Sequence, residues 1–366
     1  MRWLSTVDRY LVRRTISGLL LAFVIVASII VLVDFVEGTR NYGSEPDITN
    51  MDIFILTILK APRLLEQTIP FVVLFGIMGT LYNLNRRSEL IVLRASGLSA
   101  WRFLTPVIFV TAGLGLLWTL IFNPLASQAM HAHDSFVEHI NVNQSAGQEA
   151  ETIWLREGSE TGQILIKGEL LNSQGYRIRH ATFWLFKYTA DGNIAFDTRL
   201  DSQLAQWTEG YWQLSDVVEN TTRAGTQNLN FLSLPTTLTR EDILNASERR
   251  TAPPFWRLPA EIKRMELAGF SAKVLSLQYH RLLSLPLTLI AMTLIAAGVS
   301  MHLTREGGTL QLMLFGGTVG FIVFFVDNVI SAFGEVGALP IILAAWAMPV
   351  FALFCGISYL TRLEDG

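Results

Sequence analysis

Few residues in this chain have types and spacing that could do chemistry, and those few point away from an enzyme. The 366 residues include six histidines, of which only His131, His133 and His139 cluster. Two or three of these could meet a metal, but no matching carboxylate pattern accompanies them, and a polar stem is the favoured alternative. The single cysteine, Cys355, lies in an apolar run, so neither an internal disulfide nor a cysteine metal site can form. The lysines are Lys60, Lys167, Lys187, Lys263 and Lys273, and none falls in the G-x-x-x-x-G-K-[ST] pattern that cradles phosphates. The chain is therefore expected to carry no cofactor of its own. Any ATP and magnesium that drive it belong to another subunit. No acid–base pair and no His/Asp/Glu cluster lies at one depth of the apolar segments, as an intramembrane enzyme would need.

What remains is a set of ionisable groups in greasy surroundings and one charged link. Asp34, Glu66 and Asp327 lie in or near apolar runs. An acid at the bilayer centre costs about 2.5–3.5 kcal/mol on insertion scales and usually faces a cavity. Each of these lies within a turn or two of the expected outer interface, where that cost falls, so a group contacting water or headgroups stays open as a reading. Asp327 and Asn328 are the strongest candidates for a cavity or gate. The link reads Arg86-Arg87-Ser88-Glu89-Leu90-Ile91-Val92-Leu93-Arg94-Ala95-Ser96-Gly97. Ser88 suits an N-cap, Glu89 the positive end of a helix, and Gly97 a C′ position. The spacing predicts a two-turn helix at about 86–98, with Leu90, Ile91 and Leu93 apolar. It suits either a plug into a cytosolic partner or a membrane-hugging linker.

The elements that hold these residues are membrane spans. Half the chain is hydrophobic (51%) and only 16% is charged, against about 25% charged in soluble domains. Six apolar stretches run over 15–36, 64–83, 103–123, 277–301, 309–331 and 338–360, each near the ~20 residues that cross ~30 Å of hydrocarbon. The first follows Arg13-Arg14, but its apolar core exceeds the ~7–15 residues of a signal h-region and no clear cleavage site follows. It is expected to be retained. Arg2, Arg9, Arg13 and Arg14 precede it, and Arg86, Arg87, Arg94 and Arg102 fill the second link. By the positive-inside rule those segments are cytoplasmic, as are both termini. Gly316 and Gly320 form a small-xxx-small step on the fifth span, which favours close helix approach, to the chain's own first helix or to a partner's. The net charge of −3 hides an uneven layout, and no nucleic-acid partner is expected.

Between the third and fourth spans the pattern changes. Residues 176–188 place Ile178, Trp184 and Phe186 on one alternating face, with Arg177, Arg179 and Lys187 on the other. Asp191-Gly192 and Glu209-Gly210 read as turns around a strand from Ile194 to Trp207. Period-two patterning with turns every ~8–12 residues predicts an antiparallel sheet, a sandwich or jelly roll. Trp184, Trp207, Tyr211 and Trp212 suit its core more than an acyl-chain groove. Pro253-Pro254 closes the domain, and 258–274 is expected to be an amphipathic connector. The expected fold is an α-helical polytopic membrane protein, six helices in a 3+3 arrangement, with a periplasmic antiparallel β jelly-roll-like domain inserted between helices 3 and 4. Its expected divisions are 1–123, 124–275 and 276–366.

The link through Ser88-Glu89-Leu90 to Ala95-Ser96-Gly97, the opening Asp8-Arg9-Tyr10-Leu11 and the step Trp212-Gln213-Leu214 resemble the LptF/LptG permeases of the bacterial lipopolysaccharide exporter, over essentially the whole chain. Phe325-Val326-Asp327-Asn328, Phe333-Gly334 and Gly337-Ala338-Leu339-Pro340 resemble the G branch more than its paralogue. The resemblance implies an inner-membrane permease paired with an LptF-like paralogue, an LptB-like cytoplasmic ATPase dimer and an LptC-like single-span protein. Lipopolysaccharide would be extracted from the bilayer and passed through periplasmic β-domains. It implies that Arg86, Arg87, Glu89, Leu90, Leu93, Arg94 and Gly97 form the ATPase-coupling segment, with Glu89 the key contact. It also implies lipid-cavity or gate roles for Asp34, Arg63, Gly316, Gly320, Asp327 and Asn328. Arg63 matches a basic family position, whereas Asp34 stands about where the G branch tends to carry a basic residue. A membrane-anchored scaffold whose β-domain binds a periplasmic partner is the alternative from another class.

Overall fold

A computed structural model of the chain describes residues 6–43, 48–95, 97–144, 152–159, 162–170, 177–188, 194–221, 225–238, 243, 253–267, 271–303 and 309–365. Its helices outrun the apolar stretches that nucleate them. Helix α1 covers Thr6–Tyr42 and α2 covers Asn50–Arg86, each about 55 Å long at ~1.5 Å per residue. Backbone hydrogen bonding continues into polar flanks, so both exceed the hydrocarbon thickness. Thr49 and Asp52 form a capping box that starts α2. A short α3, Glu89–Ala95, precedes α4, Ala100–Leu117. Helix α4 passes through a π-helical turn, Trp118–Phe122, into α5, Asn123–Gln144. After the inserted sheet come α6 (Leu258–Leu267), α7 (Lys273–Leu303), α8 (Thr309–Glu335) and α9 (Ile341–Asp365). Among the described residues, six helical stretches are long and apolar enough to cross a membrane: α1, α2, α4 with its continuation, α7, α8 and α9.

The chain divides into two compact units. One comprises Met1–Phe136, Ala252–Lys263 and Ser271–Gly366, the other Val137–Thr251 and Arg264–Phe270. In the first, α2 and α7 supply most of the core, including Ile69, Val73, Leu74, Ile77, Leu289 and Ala296. Helices α1 and α8 instead turn large apolar side chains outward, among them Leu21, Leu32, Phe321 and Phe325. Such outward apolar faces suit hydrocarbon as the surrounding solvent, because every backbone group is satisfied within the helix. Small residues set the tightest crossings. A Cβ on Gly115 of α4 would lie 2.6 Å from the Pro286 Cα of α7, and one on Gly18 of α1 would strike the Thr80 hydroxyl of α2.

The second unit carries six strands: β1 Thr152–Ser159, β2 Gly162–Leu170, β3 Arg177–Tyr188, β4 Ile194–Thr208, β5 Tyr211–Thr221 and β6 Gly225–Pro235. They form one antiparallel sheet in the order β1-β2-β3-β4-β5-β6. The antiparallel expectation is met, but the described strands pair only with sequence neighbours and show no Greek-key crossover. The Glu209-Gly210 turn is present, with Gly210 at φ 87°, while Asp191-Gly192 lies outside the described residues.

Strict alternation misassigns one face of this sheet. His180 and Asp216 take φ of 49° and 52°, and the pairing steps over His180, Gln203, Asp216 and Asn230 at one level of β3 to β6. A transverse crease results. On each side of it the inward positions lie three residues apart: Ile178 and Ala181, Ser202 and Ala205, Leu214 and Val217, all buried. The Ser202 hydroxyl bonds the Leu204 and Ser215 carbonyls beside the break. Trp184 therefore leaves the face of Ile178, contrary to the period-two expectation, and stacks on Trp154 instead. Of the four expected core aromatics, Trp212 is fully buried, Trp207 is half-buried and donates to the Leu238 carbonyl, and Tyr211 is exposed. Glu157 is buried and accepts from both Thr236 and Thr237, fastening the chain beyond β6 to β1.

Candidate functional site

The link between the second and third spans folds into a helix shorter than expected, Glu89–Ala95. Ser88 adopts φ 60° and Gly97 φ 84°, so a left-handed residue stands just outside each end. For Gly97 this is the C′ geometry that glycine permits. Ser88 departs from expectation, since a side-chain-capping residue is normally extended; only its carbonyl takes part, accepting from the Val92 amide at 3.1 Å. Arg86 and Arg87 are exposed. Leu90, expected on the partner-facing side, is only 5% exposed within the core of the first unit. Its burial there anchors the helix to the spans. Val92, not singled out from the sequence, is exposed. The side chains of Ile91, Leu93 and Arg94 lie outside the described residues.

Glu89 is held by α1. The Tyr10 hydroxyl donates to its Oε2 at 2.6 Å, and Arg14 Nε donates to the Tyr10 oxygen at 3.0 Å. Nearby, Arg102 of α4 pairs with the buried Asp8 at 3.2 Å.

Away from α3 along the same helices, three ion pairs gather. Lys60 of α2 donates to Asp34 of α1 at 2.6 Å, and Asp34 is buried. One turn on, Arg63 reaches Glu66 at 3.3 Å. Both Glu66 oxygens accept from Asn123 Nδ2, at 3.0 and 3.2 Å, and Asn123 Oδ1 accepts from the Phe255 amide at 2.8 Å. Asn123 is the first residue beyond the π-helical turn. The carbonyl of Leu120 within that turn takes a bond from the Trp256 indole. Across from Glu66, Arg281 of α7 pairs with Asp327 of α8 at 3.0 Å.

Arg63, Glu66, Gln278, Arg281, Asp327 and Asn328 share the wall of one cleft of about 340 Å³ among α2, α7, α8 and α9. The structure thus brings Arg63, Asp327 and Asn328 together and leaves Asp34 outside, on a pair of its own. Asn328 donates to the Phe324 carbonyl of its own helix. The Gln278 Nε2 is buried without an acceptor among the described residues. Arg63 and Arg281 face three acids on this wall, Glu66, Asp327 and Glu335, so both cations are compensated internally. A phosphate-bearing group would have to compete with these acids for Arg63 and Arg281.

Within this chain, Gly316 and Gly320 meet α2 and not the first helix. A Cβ on Gly316 would strike the end of Met78, and one on Gly320 the Leu74 side chain. The close approach is to α2 of the same chain, which the missing side chains allow α8 to reach. The histidine cluster resolves into a His133–Asp134 pair at 3.0 Å; the side chain of His139 lies outside the described residues. Sequence reasoning missed Lys60, Asn123 and Arg281. For Arg281 a signal was present, since it interrupts the apolar run 277–301, and a cation there marks a function by default.

Comparison with known proteins extends over nearly the whole chain. The model of the lipopolysaccharide export system permease family LptF/LptG matches residues 9–362. The lipopolysaccharide export system permease protein LptG of Haemophilus influenzae is 22% identical over 358 residues, covering 93% of this chain and 94% of that protein.

Proposed function

Because this chain belongs to the LptF/LptG family of lipopolysaccharide export permeases, we propose that it is the G-type half of an ATP-driven lipopolysaccharide extractor. One observation carries the reading: the family match runs through both groups of spans and the inserted sheet. The chain is the non-catalytic membrane subunit, and ATP hydrolysis belongs to an LptB-like ATPase dimer. An LptF-like permease completes the transporter, with an LptC-like single-span protein alongside. The chain sits in a bacterial inner membrane with both termini in the cytoplasm and the β-sheet unit in the periplasm.

The residues support a division of labour. Energy arrives at α3, where Glu89 receives the ATPase and Gly97 ends the helix. Lipid is selected where Lys60, Arg63 and Arg281 stand, because phosphates compete for these cations with Asp34, Glu66 and Asp327. Exchange of partners suits a transporter better than a bare cation would. A site that binds phosphate without competition also releases it slowly, whereas a returning carboxylate speeds departure. The Gly316 and Gly320 contact lets α8 slide against α2 as the cavity opens. The β-sheet unit takes the lipid onward.

The test is Glu89→Ala in the reconstituted complex. The expected result is loss of lipopolysaccharide movement with weakened ATPase attachment. Unchanged attachment and transport would remove α3 from the coupling role.

A further inference from the structure

Helix α3 has seven residues, too few to hold its shape or direction alone. Left-handed backbone at Ser88 and Gly97 separates it from both neighbouring helices, so neither α2 nor α4 dictates its direction. Side chains must do so. Among the described residues, Leu90 supplies an apolar anchor and Glu89 a polar one.

The polar anchor is directional. Arg14 donates to the Tyr10 oxygen, and its guanidinium carbon lies 5.4 Å from the centre of the Tyr10 ring. With one lone pair taken, the phenol proton is committed to Glu89. A hydroxyl–carboxylate bond of 2.6 Å is of the short, charge-assisted kind. Glu89 Oε1 has no hydrogen bond among the described residues, so it can accept a donor from another subunit while Oε2 stays with Tyr10. The same end of α1 is also tied to α4 by Asp8 and Arg102. Few other side chains of α1 are buried in the chain: Leu11, Thr15, Leu19 and, far along the helix, Asp34.

We infer that Tyr10 is a positioning residue for Glu89 and that Arg14 orients Tyr10, so that motion of α3 reaches α1 directly as well as through α2. The inference rests on the coupling role proposed for Glu89. It gives the Asp8-Arg9-Tyr10 opening a physical role, since two of its three side chains tie α1 to α3 and to α4.

The experiment is a double-mutant cycle in the complete complex in proteoliposomes, read as lipopolysaccharide moved per ATP hydrolysed. Tyr10→Phe removes one oxygen and preserves the ring. It is expected to lower that ratio by about threefold to tenfold, the range spanned by the loss of an ordinary hydrogen bond at an exposed site. Glu89→Gln should lower it at least as much, and the double variant should be no worse than Glu89→Gln alone. A purely structural tyrosine would lower the yield of complex and leave the ratio intact. If Glu89→Gln fails while Tyr10→Phe matches wild type, the positioning role is wrong and the coupling role stands. Losses that multiply in the double variant also overturn it, because Tyr10 would then act independently. If Glu89→Gln matches wild type, the coupling role itself falls and the inference falls with it.

Discussion

The Arg281 guanidinium lies 3.0 Å from the Asp327 carboxylate, so the fourth and fifth spans are joined by an ion pair on the wall of a cleft. Helix α8 otherwise turns much of its apolar surface outward, which makes this pair one of its polar ties to the neighbouring spans. Asp327→Ala leaves the arginine uncompensated. It is expected to cost about 1–3 kcal/mol, less than the ~3–5 of a fully buried pair because Arg281 is partly exposed. Thermal unfolding in detergent measures this, and Arg281→Ala combined with Asp327→Ala should be milder than Asp327→Ala alone.

Glycine positions separate tight contacts from yielding ones. Gly115→Ala drives a methyl into the backbone of Pro286 and should destabilise by about 1–3 kcal/mol through overpacking. Gly316→Ala meets only the flexible end of Met78 and should cost well under ~1 kcal/mol. Gly316→Leu is expected to impair both stability and transport, with Met78→Ala restoring part of each. Thermal unfolding of the variants in parallel decides the order.

Asn123 satisfies a partly buried carboxylate on one side and a backbone amide on the other. Asn123→Ala should destabilise by about 1–3 kcal/mol, the cost of groups left unpaired. Asn123→Asp should be worse, because it keeps the acceptor for Phe255 but sets a second carboxylate against Glu66. If the aspartate is the milder change, the amide does not donate to Glu66 as described.

Arg63→Glu sets like charges beside Glu66 and repels phosphate in the cleft. Lipopolysaccharide capture, followed by site-specific photo-crosslinking, should fall more than ATP hydrolysis by the assembled complex. Equal loss of both counts against a lipid-facing role for Arg63.

Much of the fold was legible because membrane spans and strands announce themselves by different periods. Arginine placement and the apolar runs gave six spans, though helix ends ran past them, since hydrogen bonding does not stop where hydropathy does. The inserted sheet was legible as antiparallel from Ile178 to Leu214. Its crease was not, because each strand resets its alternation at one polar residue, and an inward pair three apart resembles noise in a single strand. At the site, Arg63, Asp327 and Glu89 could be singled out as charges in unusual places. Their partners could not: Lys60–Asp34, Arg281–Asp327 and Tyr10–Glu89 lie 26, 46 and 79 residues apart, distances over which spacing carries no contact information. Leu90 shows the same limit, since an apolar residue on a short helix reads alike whether it faces a partner or its own core.

The most direct measurement of the proposed function is lipopolysaccharide movement from proteoliposomes holding this chain with an LptF-like permease and an LptB-like ATPase, followed by crosslinking at an acceptor β-domain. Accumulation should require ATP and this chain together, and should be lost with Glu89→Ala. Equal accumulation without ATP, or without this chain, would contradict its role as an energised lipopolysaccharide permease.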